Sequence, residues 1–388
     1  MPLPEYFEFH DRTKVVYGVD SLNQVGSEAQ QLGGTKAVLI TDSIIRKLGF
    51  PERVKSALED AGVEVALIRD DVPQDSDVRL INNIYEEARE AGVDICVGIG
   101  GGSVLDTTKM VNLLLTEGGD LLNDHQGAYL QERPLKPMIA VPTTAGTGSE
   151  VTFAAVVKDH ESHQKVSFVS HFFAPNVAIL DPVTNVSMPK SVTAATGMDA
   201  LTHAVESLHS TESTPITDAL STGAISMIST NLPEAVLNGE NLEARGRMLI
   251  AACIAGLAFS NSLVGIVHGI AHSIGGVAGV PHGVANSIML PWCMEWNLDF
   301  CPEKYAMSAW AMGVVPTGDA RADAVSGIAR VRELIARTGL PVKLGAAGVK
   351  ESHLEAIADL TMGDGTIVTN PRPVEDPAEV MELLKLAF

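Results

Sequence analysis

The feature that most constrains the fold of this 388-residue chain is the alternation of short apolar runs with longer amphipathic stretches in its first half. The apolar runs are rich in β-branched residues and end in polar or glycine-containing turns, as buried strands do. We predict strands at 37–40, 63–68, 94–99 and 137–141. We predict helices at 51–61, 78–91 and 103–115. This alternation indicates right-handed crossovers and a parallel sheet covered on both faces.

The second half has a different pattern. From about Ser191 onward, β-branched runs are few and alanine- and leucine-rich helical segments follow one another. We predict helices at 191–210, 219–228, 242–260, 320–337 and 377–386. Prolines and polar residues punctuate the stretch 181–189, which is typical of a boundary. The sequence therefore predicts two domains, an α/β domain over residues 1–186 and an all-helical domain over residues 187–388.

Composition narrows the class of protein. The formal net charge of -21 argues against a nucleic-acid partner, because no basic surface is present to displace counterions. The four cysteines lack CxxC spacing and are typical of reduced thiols in a cytosolic protein. The start of the chain lacks the order of a signal peptide, and the apolar run 248–259 is too short to span a bilayer. We expect a cytoplasmic protein with no membrane segment.

A glycine-rich loop, Val97-Gly-Ile-Gly-Gly-Gly-Ser103, follows one predicted strand and opens the next predicted helix. Glycines let the backbone approach a phosphate closely, and the free N–H groups at a helix start attract its charge. The loop departs from the GxGxxG pattern, and a tight strand-to-helix turn explains it equally well in isolation. Its position at the carboxyl end of a parallel strand, where open α/β sheets bind ligands, favours nucleotide binding. The candidate contacts are Gly100, Gly101, Gly102 and Ser103.

A second loop of this kind, Pro142-Thr-Thr-Ala-Gly-Thr-Gly-Ser-Glu150, directly follows the strand at 137–141. The hydroxyls of Thr143, Thr144 and Thr147 are candidates to line a pyrophosphate or a ribose, the alternative being hydroxyls bonded to local backbone. Asp42 ends an early strand and is a candidate acceptor for an adenosine ribose, which would favour NAD over NADP. The alternative for Asp42 is a helix cap.

Four side chains in the second half form a candidate metal site. Asp199 and His203 lie four residues apart, so they share one face of a helix. His268 and His282 follow in a glycine-rich apolar stretch, where a polar ring needs a partner. One carboxylate with three imidazoles suits a catalytic Fe²⁺ or Zn²⁺ and leaves a coordination position for substrate.

Taken in order, the glycine loop, the Thr143–Glu150 segment, the Asp/His set and Asn370-Pro-Arg-Pro373 resemble the iron-containing (group III) alcohol dehydrogenases over nearly the whole chain. The resemblance implies a dinucleotide-binding domain followed by a helical metal-binding domain. It implies metal ligation by Asp199, His203, His268 and His282, and it places His272 near the metal without counting it as a ligand. The nucleotide contacts that it implies are Asp42, Gly101, Gly102, Ser103, Thr143, Thr144, Thr152 and Lys165.

The expected function is therefore a metal- and NAD-dependent alcohol dehydrogenase that interconverts short alcohols or diols and their aldehydes. The metal would make the alcohol oxygen alkoxide-like, NAD would accept the hydride, and His272 is a candidate catalytic residue that relays the proton. The resemblance implies that the metal is iron, and zinc also suits these ligands. A homo-oligomer is expected by resemblance only. The alternatives are a zinc-dependent polyol dehydrogenase of the glycerol type and a catalytically idle NAD- and metal-binding protein.

Overall fold

A computed structural model describes residues 4–159 and 165–388. The chain forms two compact units. Of the described residues, the first unit comprises 10–144, 148–159 and 165–186, and the second comprises 4–9, 145–147 and 187–388. Three residues of the predicted phosphate-binding loop thus pack with the second unit, although a single division of the chain was predicted.

The first unit is built on a six-stranded sheet in which every pairing is parallel. Its strands are β1 Lys14–Tyr17, β2 Lys36–Ile40, β3 Glu64–Arg69, β4 Ile95–Gly100, β6 Met138–Pro142 and β9 Val177–Leu180. They lie side by side in the order β1-β9-β6-β4-β2-β3. A smaller sheet consists of β5 Gly127–Ala128, β7 Ala154–Lys158 and β8 Lys165–Val169. The antiparallel pairing of β7 with β8 was not predicted.

Helices connect the strands of this unit. They are α1 Val25–Gln31, α2 Ser43–Lys47, α3 Phe50–Asp60, α4 Val78–Glu90, α5 Gly102–Glu117 and α6 Leu121–His125. Short 3₁₀ turns lie at Ser21–Gln24, His171–Phe173 and Pro182–Asn185. The central strands β4 and β6 are buried at every residue. Two separate apolar clusters, each containing strand and helix side chains, pack around the sheet. The expected parallel α/β fold is confirmed.

The second unit is helical. Its helices are α7 Lys190–His209, α8 Pro215–Leu237, α9 Leu242–Ser262, α10 Ile266–Ala278, α11 His282–Asn297, α12 Pro302–Ala311, α13 Ala320–Thr338, α14 Leu354–Thr361 and α15 Pro377–Ala387. Further 3₁₀ turns lie at Gly345–Ala347, Glu351–His353 and Gly365–Thr369. One continuous apolar cluster forms the core of this unit.

Several of the long helices begin at a polar side chain that caps their first turn, as α4, α8, α9 and α13 do. Thr214 accepts from the N–H of Thr217 at the start of α8, and Asn241 accepts from the N–H of Ala244 at the start of α9. The prediction of a helix at 219–228 missed the first turn and the last two turns of α8. Helix α10 differs, because its N-cap is Gly265, which has no side chain to offer.

Membrane-spanning potential is limited to one bent pair of helices. Within the described ranges no single helix combines the length and hydropathy needed to cross a bilayer. Only α9 and α10 meet these criteria together, with a bend of 104° between them.

Candidate metal centre and nucleotide loops

Helix α7 supplies the first part of the candidate metal centre. Asp199 and His203 lie one turn apart on this helix, and both are buried. The helix is buried on all sides in this region, so a carboxylate there has little water to solvate it. Burial acts to raise the pKa of Asp199, but its polar neighbours, among them the Asn286 amide that donates a hydrogen bond to it, hold that pKa below its ordinary value.

Helices α10 and α11 bring two further imidazoles to this carboxylate. His268 lies in the first turn of α10, and His282 is the first residue of α11. Nε2 of His282 lies 3.5 Å from Oδ1 of Asp199, and Nε2 of His268 lies 4.0 Å from the same oxygen. One ligand atom from each of the three residues falls within 4.8 Å of the others. Residues far apart in the chain thus present metal-ligand atoms to a common point.

The pKa values of the two imidazoles suit metal binding. Burial lowers the pKa of both His268 and His282 well below the ordinary value for histidine. The rings are therefore neutral at pH 7, and a neutral imidazole keeps a nitrogen lone pair for an ion.

Asn286 lies at the centre of this group and was not predicted. Its Nδ2 is 2.7 Å from Asp199 Oδ1, 3.1 Å from His282 Nε2 and 3.3 Å from His268 Nε2. An amide nitrogen carries two hydrogens, so it cannot satisfy three acceptors at once. The excess of acceptor atoms over donors is the chemistry that a divalent cation satisfies, and the residues therefore fit a metal.

His203 lies beside this group but contributes no atom to it. Its ring stacks on Phe259, with centroids 4.3 Å apart, and on His268, with centroids 4.5 Å apart. Its buried Nδ1 has no hydrogen-bond partner among the described residues. The placement of His203 as a fourth ligand stays a prediction.

A buried carboxylate that was not predicted supports His268 from behind. Oε2 of Glu206, one turn after His203 on α7, lies 2.5 Å from His268 Nδ1. Its other oxygen accepts from the N–H of Val267 at 2.7 Å. Burial raises the pKa of Glu206, while backbone N–H groups at the start of α10 act in the opposite direction. Glutamate three residues after His203 is the only sequence signal for it, and that spacing is common on exposed helices.

His272 lies one turn after His268 and is partly exposed. Its ring stacks on that of His282, with centroids 5.1 Å apart. Its Nδ1 lies 2.8 Å from Oδ2 of Asp364, whose other oxygen accepts from the N–H of Thr366. Burial acts to raise the pKa of Asp364, but the hydrogen bond from His272 and those from Thr366 bring it well below the ordinary value. An ionised acceptor at Nδ1 leaves Nε2 of His272 as the nitrogen that can accept a proton.

In the first unit, the two predicted nucleotide loops lie side by side. Strands β4 and β6 are neighbours and are parallel, so their carboxyl ends lie at the same edge of the sheet. The N–H of Thr143 donates to the carbonyl of Gly100 at 2.9 Å. A Cβ at Gly101 would lie 3.3 Å from the Thr144 side chain, and Gly102 opens α5. Five of the predicted glycine and threonine contacts thus lie together near the start of a helix.

Three other predicted nucleotide residues are engaged locally. Ser103 Oγ accepts from the N–H of Asp75, and the carboxylate of Asp75 pairs with Lys165 at 2.8 Å. Asp42 caps α2, where Oδ1 accepts from the N–H groups of Ile44 and Ile45. The capping alternative for Asp42 is thus present, and its role toward a ribose stays a prediction. Thr147 packs with the second unit rather than with the other loop residues.

Thr152 belongs to a buried charged cluster that was not predicted. Lys109 Nζ donates to Thr152 Oγ1 and to the carbonyls of Thr152 and Ala154, at 2.8–2.9 Å. Asp106 lies 3.9 Å from that ammonium and accepts from Ser149 Oγ. Burial lowers the pKa of Lys109 to about 8. Burial also raises the pKa of the nearby Glu150 to about 7.

Comparison with known proteins gives one consistent result. Residues 12–182 match the iron-containing alcohol dehydrogenases, and residues 193–388 match the C-terminal part of the Fe-containing alcohol dehydrogenase family. A 1,3-propanediol dehydrogenase of Klebsiella pneumoniae is 40% identical over 375 residues, which is 96% of each chain. An NAD-dependent methanol dehydrogenase of Bacillus methanolicus is 36% identical over 95% of this chain and 97% of its own length.

A comparison with solved structures agrees with the family match. The crystal structure of a 1,3-propanediol oxidoreductase superposes with a TM-score of 0.95 at 39% identity, covering 99% of this chain and all of the other. The arrangement of elements described above is therefore shared over the full length. The resemblance inferred from the motifs is confirmed.

Proposed function

Because the chain belongs to the iron-containing alcohol dehydrogenase family, we propose that it interconverts short alcohols or diols and their aldehydes, with NAD as the hydride carrier and a divalent metal at the catalytic centre. The observation that carries the proposal is the convergence of Asp199, His268 and His282 on one point with more acceptors than donors. Fe²⁺ is the proposed ion, and Zn²⁺ suits the same donors.

We propose Asp199, His268 and His282, with His203 as the fourth member, as the residues that hold the ion. When bound, a divalent ion lowers the pKa of an alcohol hydroxyl and polarises an aldehyde carbonyl. Asp199 is the only carboxylate among the four, so the protein neutralises only part of a divalent charge and the centre stays attractive to a developing alkoxide.

His272 is the proposed proton carrier. The carboxylate of Asp364 fixes its Nδ1, which orients the ring and leaves Nε2 to accept the hydroxyl proton. Its partial exposure lets the proton pass on to solvent. If His272 transfers the proton and does not bind the ion, its removal should reduce turnover without loss of the metal, whereas removal of a ligand should reduce both.

The nucleotide is proposed to bind at the edge of the parallel sheet where β4 and β6 end. Backbone N–H groups at the start of α5, with Gly100, Gly101, Gly102 and Ser103, would receive the pyrophosphate. The remaining proposed contacts are Asp42, Thr143, Thr144, Thr147, Thr152 and Lys165.

The proposed substrate class follows from the names of the relatives. Two of the similar proteins are a 1,3-propanediol dehydrogenase and a methanol dehydrogenase. We therefore propose a short primary alcohol or diol. We further propose that the protein works in the reducing environment of the cytoplasm, which its four free, buried cysteines support. We also propose that it forms a homo-oligomer and that its domains span residues 1–186 and 187–388.

The test is NADH formation at 340 nm on ethanol, 1,3-propanediol, glycerol and a hydroxy acid, with metal content measured on the same samples. His268→Ala should lose both metal and activity. His272→Ala should keep the metal and lose about 100-fold or more in turnover. His353→Ala, a histidine of the same unit outside the site, is the matched control and should behave as wild type.

Two outcomes would replace this proposal. A preference for glycerol with zinc as the active ion would favour the polyol dehydrogenase. The absence of turnover on every substrate, with metal and NAD both bound, would favour a catalytically idle protein.

A further inference from the structure

We infer that Glu206 is a positioning residue for the metal ligand His268: its carboxylate keeps the ring proton on Nδ1 and so leaves Nε2 free for the ion. The inference rests on the metal site proposed above. It concerns which nitrogen of the buried His268 ring carries the proton before the ion binds.

The contact with the ring is direct. Glu206 is fully buried, and its Oε2 lies 2.5 Å from Nδ1 of His268. A carboxylate can only accept, so the proton of the neutral ring must lie on the nitrogen that faces it. The opposite nitrogen, Nε2, is the atom that faces Asp199 and Asn286. The carboxylate therefore selects the tautomer that ligation requires.

The same carboxylate also anchors the helix that carries the ring. Oε1 accepts from the N–H of Val267 at 2.7 Å, and Oε2 is within 3.3 Å of the backbone nitrogen of His268. Helix α10 has no capping side chain of its own, so Glu206 supplies from α7 the acceptor that its first turn lacks. Backbone and ring of one ligand are thus held by one group.

The surroundings leave the carboxylate little freedom to move. A Cβ at Gly265 would lie 3.0 Å from Glu206 Oε1 and 2.9 Å from His209 Nε2. His209 itself is held by Tyr305, whose hydroxyl lies 2.7 Å from its Nδ1. Tight packing on the side away from the ion means that the carboxylate cannot turn away from the ring without displacing α10.

Asn370 offers a matched control. Its Oδ1 lies 3.3 Å from the backbone nitrogen of Ile266, so it also serves the start of α10, but no contact to the His268 ring is formed. It pairs reciprocally with Asn297, at 2.8 and 3.0 Å. Removing Asn370 weakens the anchoring of the helix and leaves the ring contact intact.

The deciding variant is Glu206→Gln, which preserves size and can still accept from the N–H of Val267. The amide then presents N–H to His268 Nδ1, so that nitrogen must accept and the ring proton moves to Nε2. We expect the affinity for Co²⁺ or Zn²⁺, measured by competition with a chromophoric chelator, to fall 10- to 100-fold. Asn370→Ala should lower the melting temperature of the metal-free protein and retain wild-type metal affinity.

A second measurement uses the wild type alone and does not depend on how the variant folds. In ¹⁵N-histidine NMR of the metal-free protein at neutral pH, the ring of His268 should carry its proton on Nδ1. Protonation at Nε2, wild-type affinity in Glu206→Gln, or an equal loss of affinity in Asn370→Ala would each overturn the inference. Failure of the wild type to bind either ion would instead overturn the proposed metal site.

Discussion

Each unit of this protein contains a polar cluster with buried carboxyl groups, and of these two clusters only the one in the α/β unit includes a cationic side chain. In the α/β unit, Asp106 and Glu150 share their surroundings with Lys109, whose ammonium meets three oxygens at hydrogen-bond distance. In the helical unit, Asp199 and Glu206 are surrounded by neutral imidazoles and an amide. The first cluster contains its own cation, whereas the second is the proposed site of a cation from outside the chain. The two clusters thus differ in whether a side chain of the protein supplies the positive charge that the carboxylates face.

The largest effect should come from removing the internal cation. Lys109→Met leaves the buried Glu150 and the largely buried Asp106 without a counter-charge, and we expect the free energy of unfolding to fall by about 3–5 kcal/mol. Urea denaturation of the metal-free protein measures it. Lys47→Met, at an exposed lysine of the same unit, should change little. If Lys109→Met were as stable as Lys47→Met, the lysine would not be what completes the first cluster.

The next effect concerns the external cation. A divalent ion at about 100 times its dissociation constant should stabilise the wild type by roughly 2.7 kcal/mol, seen as a rise in melting temperature. Asp199→Asn removes the only carboxylate among the proposed ligands, so its melting temperature should no longer respond to the metal. Lys109→Met should keep the response, since its cluster lies in the other unit. A metal response in Asp199→Asn equal to that of the wild type would break the distinction between the two clusters.

The smallest effect is a pH dependence of the first cluster. Burial raises the pKa of Glu150 from 4.5 to about 7 in the folded protein, so the native state holds a proton there that the unfolded chain releases. Between pH 4.5 and 7 the folded state binds more protons, and the contribution of Glu150 to stability is therefore lost as the pH rises through that range. Glu150→Gln should flatten the pH profile of the free energy of unfolding by on the order of 2 kcal/mol. A profile with the same slope in wild type and variant would assign the titration to other groups.

The features of this structure that the sequence predicts are those whose pattern lies within a single helix, strand or loop. Strands and helices with regular periodicity were predicted to within a few residues, as for β2 and α9, because the pattern lies within the element itself. The Asp199–His203 pair was predicted from helical spacing for the same reason. His268 and His282 were joined to this pair as a candidate set because they lie in an apolar stretch, and the family resemblance then supported the grouping.

The supporting residues could not be predicted, because their partners are distant in the chain. Glu206 meets a ring 62 residues away, and Asp364 meets one 92 residues away. A glutamate on a helix is ordinarily exposed, so nothing local marks Glu206 as buried. Lys109 was missed for the same reason, since its three acceptors lie 43 to 45 residues further along the chain. Tertiary packing alone decides which of the many polar residues serve the site.

Helix α10 carries both the proposed ligand His268 and the proposed proton carrier His272, with ring centroids 6.0 Å apart. Because the two histidines lie one turn apart on the same helix, the helical repeat sets the distance between their rings. A substitution that slides or tilts this helix must move both groups together, so it cannot retune one step of the reaction alone. The spacing between the proposed ligand and the proposed proton carrier is therefore a property of one helix and does not depend on how the helices pack together.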